Sequence, residues 1–372
     1  MGVCPANLIF EGVSVKKNVK DPSEMTPEEL EREKARRKRR ARWRKVDVIV
    51  NRIFGVFLAT GIMLGIGALS FEYVLLKGPS PALKELFSMA MFETRRFIWA
   101  PNIFLTEEET DAMKATRNNS FEGEMDFSLI SVGQQTDTYN ENGAYVDAYG
   151  LVDDDNDGLI LDKVTGNGYV GYMLVVLDPK RVYVGTGQGN FLKDIVEMHD
   201  AVGGINGGSY LDENGAGDGS YPDGLTIIDG QVVSHDNGNA FAGLDADGVL
   251  HVGYYDASSV ESLNIQYGVS FGPVVVYNGE PQYYPSGAGP RTAIGQRGDG
   301  AILMLVIDGR QVHSFGASYS DLADVMVSYG AVNAMNMDGG SSTLMYLNGE
   351  YINSSSAQNG VGRGLPDAWL IR

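Results

Sequence analysis

Two hydrophobic textures divide the chain. Residues 53–71 (IFGVFLATGIMLGIGALSF) form 19 consecutive positions without a charge. At 1.5 Å per residue, a helix of that length crosses a ~30 Å hydrocarbon core. The pattern predicts a transmembrane helix within 46–76. A buried core helix stays apolar for only about 10–14 residues. A cleaved signal peptide has a short charged leader, whereas 52 residues precede this run. Residues 77–125 mix Pro79, Pro81 and Pro101 with helix-like stretches at 83–92 and 107–114, and read as a membrane-proximal stalk.

From residue 126 onward, short apolar runs alternate with glycine turns, the texture of β structure. Strands are predicted at 169–177, 181–184, 201–205, 225–228, 231–233, 274–277, 301–307, 331–337 and 344–347. Asp229-Gly230, Asn278-Gly279 and Asn348-Gly349 are hairpin signals. Residues 191–200 and 319–329 have helical spacing. The segment GTGQG at 185–189 reads as a loop, and it lacks the G-x-G-x-x-G register of a nucleotide-binding turn. The expected fold is α+β: a mixed, largely antiparallel sheet with packed helices, preceded by a single transmembrane helix and a stalk.

Charge sharpens the division. Residues 1–52 hold 14 Lys+Arg against 8 Asp+Glu, and the remainder is net −25. Nine basic residues fall within 34–45 (KARRKRRARWRK). A basic run abutting an apolar span is the positive-inside pattern, which keeps residues 1–45 in the cytoplasm and exports 126–372. The acidic exported part is a poor partner for nucleic acid. The single cysteine, Cys4, excludes an intramolecular disulfide. Gly61 and Gly65 make a GxxxG pair through which two helices can approach, so a homodimer is one expected partner.

Chemistry is expected at three strand ends. Gly203–Gly208 (GGINGG) places Asn206 between glycines, where backbone and amide can approach a ligand. In PRTAIG, Arg291 offers a fork suited to phosphate or carboxylate, and Thr292 adds a hydroxyl. In NMDGGSST, Asp338 is an acid followed by Gly339, Gly340 and Ser341, whose amides can hold an oxyanion. Taken singly, each motif is equally a turn.

Together, GGINGGSY, PRTAIG with LVIDGRQ following, and NMDGGSSTLMYLNG resemble the phosphodiester glycosidase family from about residue 168 to the C-terminus. The resemblance implies hydrolysis of a sugar joined through its anomeric carbon to a phosphodiester, with no required cofactor. It nominates Asp338, Arg291, Asn206 and Asp308 as catalytic, and Gly207, Gly208, Thr292, Gly339, Gly340 and Ser341 as substrate-binding. The expected roles are Arg291 on the phosphate, Asp338 as base or nucleophile, and Asn206 on a sugar hydroxyl. The expected substrate is a carbohydrate-phosphate or glycopolymer at the cell surface. A non-catalytic protein that binds exopolysaccharide, and transfer to an acceptor other than water, fit the same motifs.

One acidic cluster stands apart. Asp153-Asp154-Asp155-Asn156-Asp157-Gly158 fits the D-x-D-x-D-G opening of a calcium loop. Asp153, Asp155 and Asp157 are the candidate ligands of a structural calcium. The twelfth position is Val164, so Asp162 is the candidate replacement for the missing bidentate Glu. A solvated acidic turn is the competing reading.

Overall fold

The computed structural model describes residues 25–93, 97, 99–117, 124–134, 138–211, 217–235 and 238–372; Cys4 lies outside them. The chain divides into two compact units, Met1–Glu72 and Tyr73–Arg372. The first is dominated by α1 (Pro27–Lys77), which begins at Pro27 after a capping box. There the Thr26 amide donates to Glu29 and the Glu29 amide donates to the Thr26 hydroxyl. One helix carries both the basic cluster and the apolar run, and it is long and apolar enough to cross a membrane.

In the second unit, α2 (Pro81–Glu93) and α3 (Glu107–Arg117) are joined where Glu109 accepts from Lys84 at 2.7 Å and Lys77 at 3.2 Å. Met89, Phe92 and Leu105 are buried. A Cβ added at Gly287 would lie 2.7 Å from Ala90, so α2 packs directly on the domain. The segment expected as a stalk is therefore part of the folded unit, because its apolar face has a surface to cover.

The strands follow in chain order. A ribbon of β1 (Tyr145–Val146) and β2 (Val152–Asp153) precedes β3 (Leu159–Gly166), β4 (Tyr169–Val176) and β5 (Val182–Asn190). Next come α4 (Leu192–Met198), β6 (Gly203–Asn206), β7 (Thr226–Ile228), β8 (Gln231–Ser234), β9 (Ala240–Asp245) and β10 (Leu250–Gly253). After α5 (Ala257–Ser262) stand β11 (Ile265–Phe271), β12 (Val274–Tyr277), β13 (Glu280–Pro281), β14 (Arg291–Arg297) and β15 (Ile302–Ile307). The chain closes with α6 (Tyr319–Ser328), β16 (Ala331–Met337), β17 (Met345–Leu347), β18 (Glu350–Tyr351) and β19 (Leu365–Ile371).

These strands build a seven-stranded sheet, β13-β12-β16-β14-β15-β4-β3, and two five-stranded sheets, β18-β17-β6-β19-β5 and β10-β9-β11-β7-β8. Every strand pairing among the described residues is antiparallel, simplifying the mixed sheet expected. The fully apolar β15 is buried on both faces. Ile302, Met304 and Val306 enter the central core shared by the three large sheets, while Leu303, Leu305 and Ile307 pack beneath α6. A strand buried on both faces has no polar alternation to display. Separate clusters bury α4 on β5, β17 and β19, and α5 on β7, β9 and β11.

The three expected hairpin turns form, with positive φ at both Asp229 and Gly230, Asn278 and Gly279, and Asn348 and Gly349. The segment 185–189 is a correction, since it lies inside β5, paired with β19. Its glycine content reflects close packing: a Cβ at Gly187 would collide with the carbonyl of Leu365.

At the far end of β14 from the motifs, Arg297 is fully buried between Asp147 and Asp299, 2.5 Å from each. Asp147 also accepts the amides of Tyr149 and Leu151, so this ion pair fastens the β1–β2 ribbon to the sheet. Removing Asp147 leaves the buried Arg297 charge with Asp299 alone and frees the Tyr149 and Leu151 amides. Asp147→Ala should lower unfolding stability by about 3–5 kcal/mol, read as a lower urea midpoint with an unchanged slope.

Candidate active site

Antiparallel register brings the motifs together. Thr292 at the start of β14 pairs with Met337 at the end of β16, and Arg291 pairs with Ile307 at the end of β15. Asp308, Arg291 and Asp338 thus occupy one end of three adjacent strands. Asn206 closes β6 in a different sheet, opposite Ala368 of β19.

The Asn206 side chain joins the two sheets. It is fully buried. Its Nδ2 donates to the carbonyl of Asp338 at 2.6 Å, while Oδ1 accepts from the Thr292 hydroxyl at 2.8 Å and the Leu344 amide at 3.1 Å. The amide of Asp338 donates to the carbonyl of Gly207 at 3.2 Å, and that of Gly340 to the carbonyl of Pro290 at 3.2 Å. All three motifs therefore converge.

Asn206 and Thr292 are bonded to each other and to backbone, which holds the Asp338 carbonyl in place. Arg291 is also buried. Its Nε donates to the carbonyl of Ala317 at 3.0 Å, its Nη2 to that of Gly287 at 2.6 Å, and its guanidinium stacks 4.2 Å from the centre of the Tyr319 ring. Through these bonds it braces the entry to α6. Asp338 is half-buried, with Oδ1 accepting from the Gly339 amide at 3.0 Å. The Gly340–Ser342 turn follows at once, and the carbonyl of Ser341 accepts from Ser355.

Asp308 is buried and holds a second small network. Its Oδ1 accepts from Asn353 at 2.9 Å and from the Ser354 amide at 3.1 Å, and its Oδ2 lies 3.0 Å from Nε2 of His313. His313 is half exposed, so Asp308 orients an imidazole at the protein surface.

The largest omission in the motif reading is Asp367 on β19. It is fully buried, with Oδ1 accepting from the Gly208 amide at 2.7 Å and Oδ2 without a hydrogen-bond partner. A Cβ at Gly207 would collide with that same Oδ1, which is the physical reason for glycine at this position. Burial, and then the charge of Asp338, push the Asp367 carboxyl up to about 7 against the single opposing bond from Gly208. The signal in the sequence was an acid within the apolar run LPDAWLI. Arg310 was also missed. It is exposed, and its Nη1 lies 3.5 Å from where a Cβ on Gly340 would stand. The site thus combines a half-buried carboxylate, a buried acid coupled to it, and an exposed guanidinium beside the glycine turn.

Residues 199–372 match the phosphodiester glycosidase family model, so the C-terminal part of the chain is similar to that family. The SPbeta prophage-derived uncharacterized protein YomE of Bacillus subtilis (strain 168) is 28% identical over 210 residues, 52% of this chain and 31% of that protein. The chain spans about a third of that relative's length. The catalytic domain of zebrafish N-acetylglucosamine-1-phosphodiester alpha-N-acetylglucosaminidase, auto-inhibited by its pro-peptide, superposes with a TM-score of 0.50 at 20% identity. The match covers 59% of this chain and 85% of that one, and it establishes a shared fold. A hypothetical protein from Synechocystis reaches a TM-score of 0.47 at 15% identity, over 57% of this chain and 62% of that one.

The buried acid has a pH signature. The folded protein retains the Asp367 proton up to about pH 7, whereas an unfolded chain releases it near ~4. Between those values the folded state binds the extra proton, so this group's contribution to stability falls as pH rises. Asp367→Asn is neutral throughout and still accepts the Gly208 amide. It should be more stable than the parent at pH 8 by several degrees of melting temperature, with the difference vanishing by about pH 4.

Proposed function

We propose that this domain hydrolyses the bond between a sugar's anomeric carbon and a phosphodiester oxygen in a surface or extracellular glycopolymer. The observation carrying this reading is the coupled pair Asp338 and Asp367, assembled by Asn206 inside a domain similar to the phosphodiester glycosidase family. Asp338 is the carboxylate at the anomeric carbon. Asp367 keeps its proton below about pH 7, so only one negative charge resides in the pair. A phosphate leaving group has a second pKa near ~6 and needs far less protonation than a sugar alkoxide. A cation can therefore supply much of the stabilisation there, and Arg310 beside Gly340 takes that role in place of Arg291.

The long apolar helix and its basic flank support a single-pass anchor with the N-terminus cytoplasmic and the domain outside. Gly61 and Gly65 are exposed on that helix and suit a close helix pair. Protease added to intact cells should remove the domain. A domain protected until the membrane is opened would reverse the topology.

Catalysis is tested with the full-length protein in mild detergent and a panel of sugar-1-phosphodiesters, assaying released reducing sugar. Asp338→Asn should lower kcat by at least about a thousandfold without lowering the melting temperature. Arg310→Ala should cost about 10²–10³-fold, the scale of one transition-state donor. Arg291→Lys should instead act first on stability, because it loses the fork between Gly287 and Ala317. Turnover of Asp338→Asn near the parental rate would rule out this assignment. Tight polymer binding with no release on any substrate would favour a binding protein.

A further inference from the structure

We propose that Asp153, Asp155 and Asp157 form a divalent-cation site, calcium by the chemistry of its donors, that locks the β1–β2 ribbon to the edge of the seven-stranded sheet. The loop runs from the end of β2 to the start of β3, the edge strand. Positive φ at Asn156 (57°) and Gly158 (83°) curls it so that one oxygen from each carboxylate lies within 4.8 Å of the others. Three like charges at that separation repel one another unless something positive lies between them.

A second observation is the burial of one of these carboxylates. Asp153 is only 2% exposed. Its Oδ2 accepts from the Gly158 amide at 2.9 Å, but Oδ1 has no hydrogen-bond partner. A buried carboxylate oxygen without a donor is costly, and a cation held with Asp155 and Asp157 relieves both that cost and the repulsion.

The frame is already fixed by other bonds. Asn156 accepts the Tyr145 amide at 2.8 Å and donates to the carbonyl of Gly143, holding the loop to β1. Arg181 donates to the carbonyl of Asp157 at 2.6 Å and to that of Arg372 at 2.9 Å, tying the loop to the end of β19. Neither bond neutralises a carboxylate. The donors are all oxygen, which selects a hard cation, and an irregular loop of few ligands suits calcium better than octahedral magnesium.

Asp162 does not belong to the site. It lies on β3 and accepts from the hydroxyl of Tyr329. Val164 is buried in the core beneath α6, so no side chain fills the twelfth position. With three carboxylates only, affinity should fall near 10⁻⁴–10⁻³ M, the range of extracellular modules.

The test uses the full-length protein in mild detergent, stripped of metal, with melting temperature followed against added calcium. Ten millimolar calcium should raise it by about 3–8 °C over chelator, and equal magnesium should do less. Asp155 and Asp157 are exposed, so Asp155→Asn and Asp157→Asn should fold, and each should remove most of the shift. Calorimetric titration of the parent should give one site with that affinity. A parent unmoved by calcium, or a double variant that responds as the parent does, would overturn the proposal. The readout is independent of turnover, so it stands or falls apart from the glycosidase reading.

Discussion

The site depends on one buried amide. Asn206 ends a strand in one sheet, yet its side chain is bonded to β14 through Thr292 and to the residue following β16 through Asp338. Each of those bonds replaces water that the amide loses on burial, so the side chain has little freedom to be elsewhere. A carboxylate meant to act on a substrate must be held to within a fraction of an ångström. Here the backbone of Asp338 is fixed from both sides, by Asn206 at its carbonyl and by Gly207 at its amide, while the residue as a whole stays half-buried.

That placement sets the electrostatics. Asp367 comes from a neighbouring strand of the Asn206 sheet and sits where only glycine at 207 leaves room. One backbone amide cannot offset the loss of water around a buried carboxylate, and the charge on Asp338 adds to the penalty. The result is a pair of acids in different environments, one half-buried and one fully enclosed. Such pairs divide their protons unequally, which is what acid and base chemistry at neutral pH requires.

Much of this was legible in the chain. The double-sided burial of β15 reads directly from AILMLVI, and the Asp-Gly and Asn-Gly turns read from two residues each. Glycine-rich motifs at 203–208, 290–295 and 336–343 marked the strand ends that meet. Other elements were hidden for physical reasons. Strand β14 contains Arg, Thr, Gln and Arg, polar residues satisfied by partners distant in sequence. The glycines of β5 imitate a loop because β19 packs too closely for side chains. The role of Arg291 could not be read locally, since its partners Gly287, Ala317 and Tyr319 are assembled only by the fold. A motif identifies which residues gather, whereas burial decides which of them face a substrate.

The coupling between the two acids is the most direct test of this account. Carboxyl carbon shifts of Asp338 and Asp367, followed by NMR from pH 4 to 9, would report each titration. Asp367 should titrate near pH 7, and its midpoint should fall when Asp338 is replaced by Asn, because the neighbouring charge is gone. An Asp367 that titrates near ~4 like a solvated carboxyl, or whose midpoint ignores the loss of Asp338, would contradict the site described.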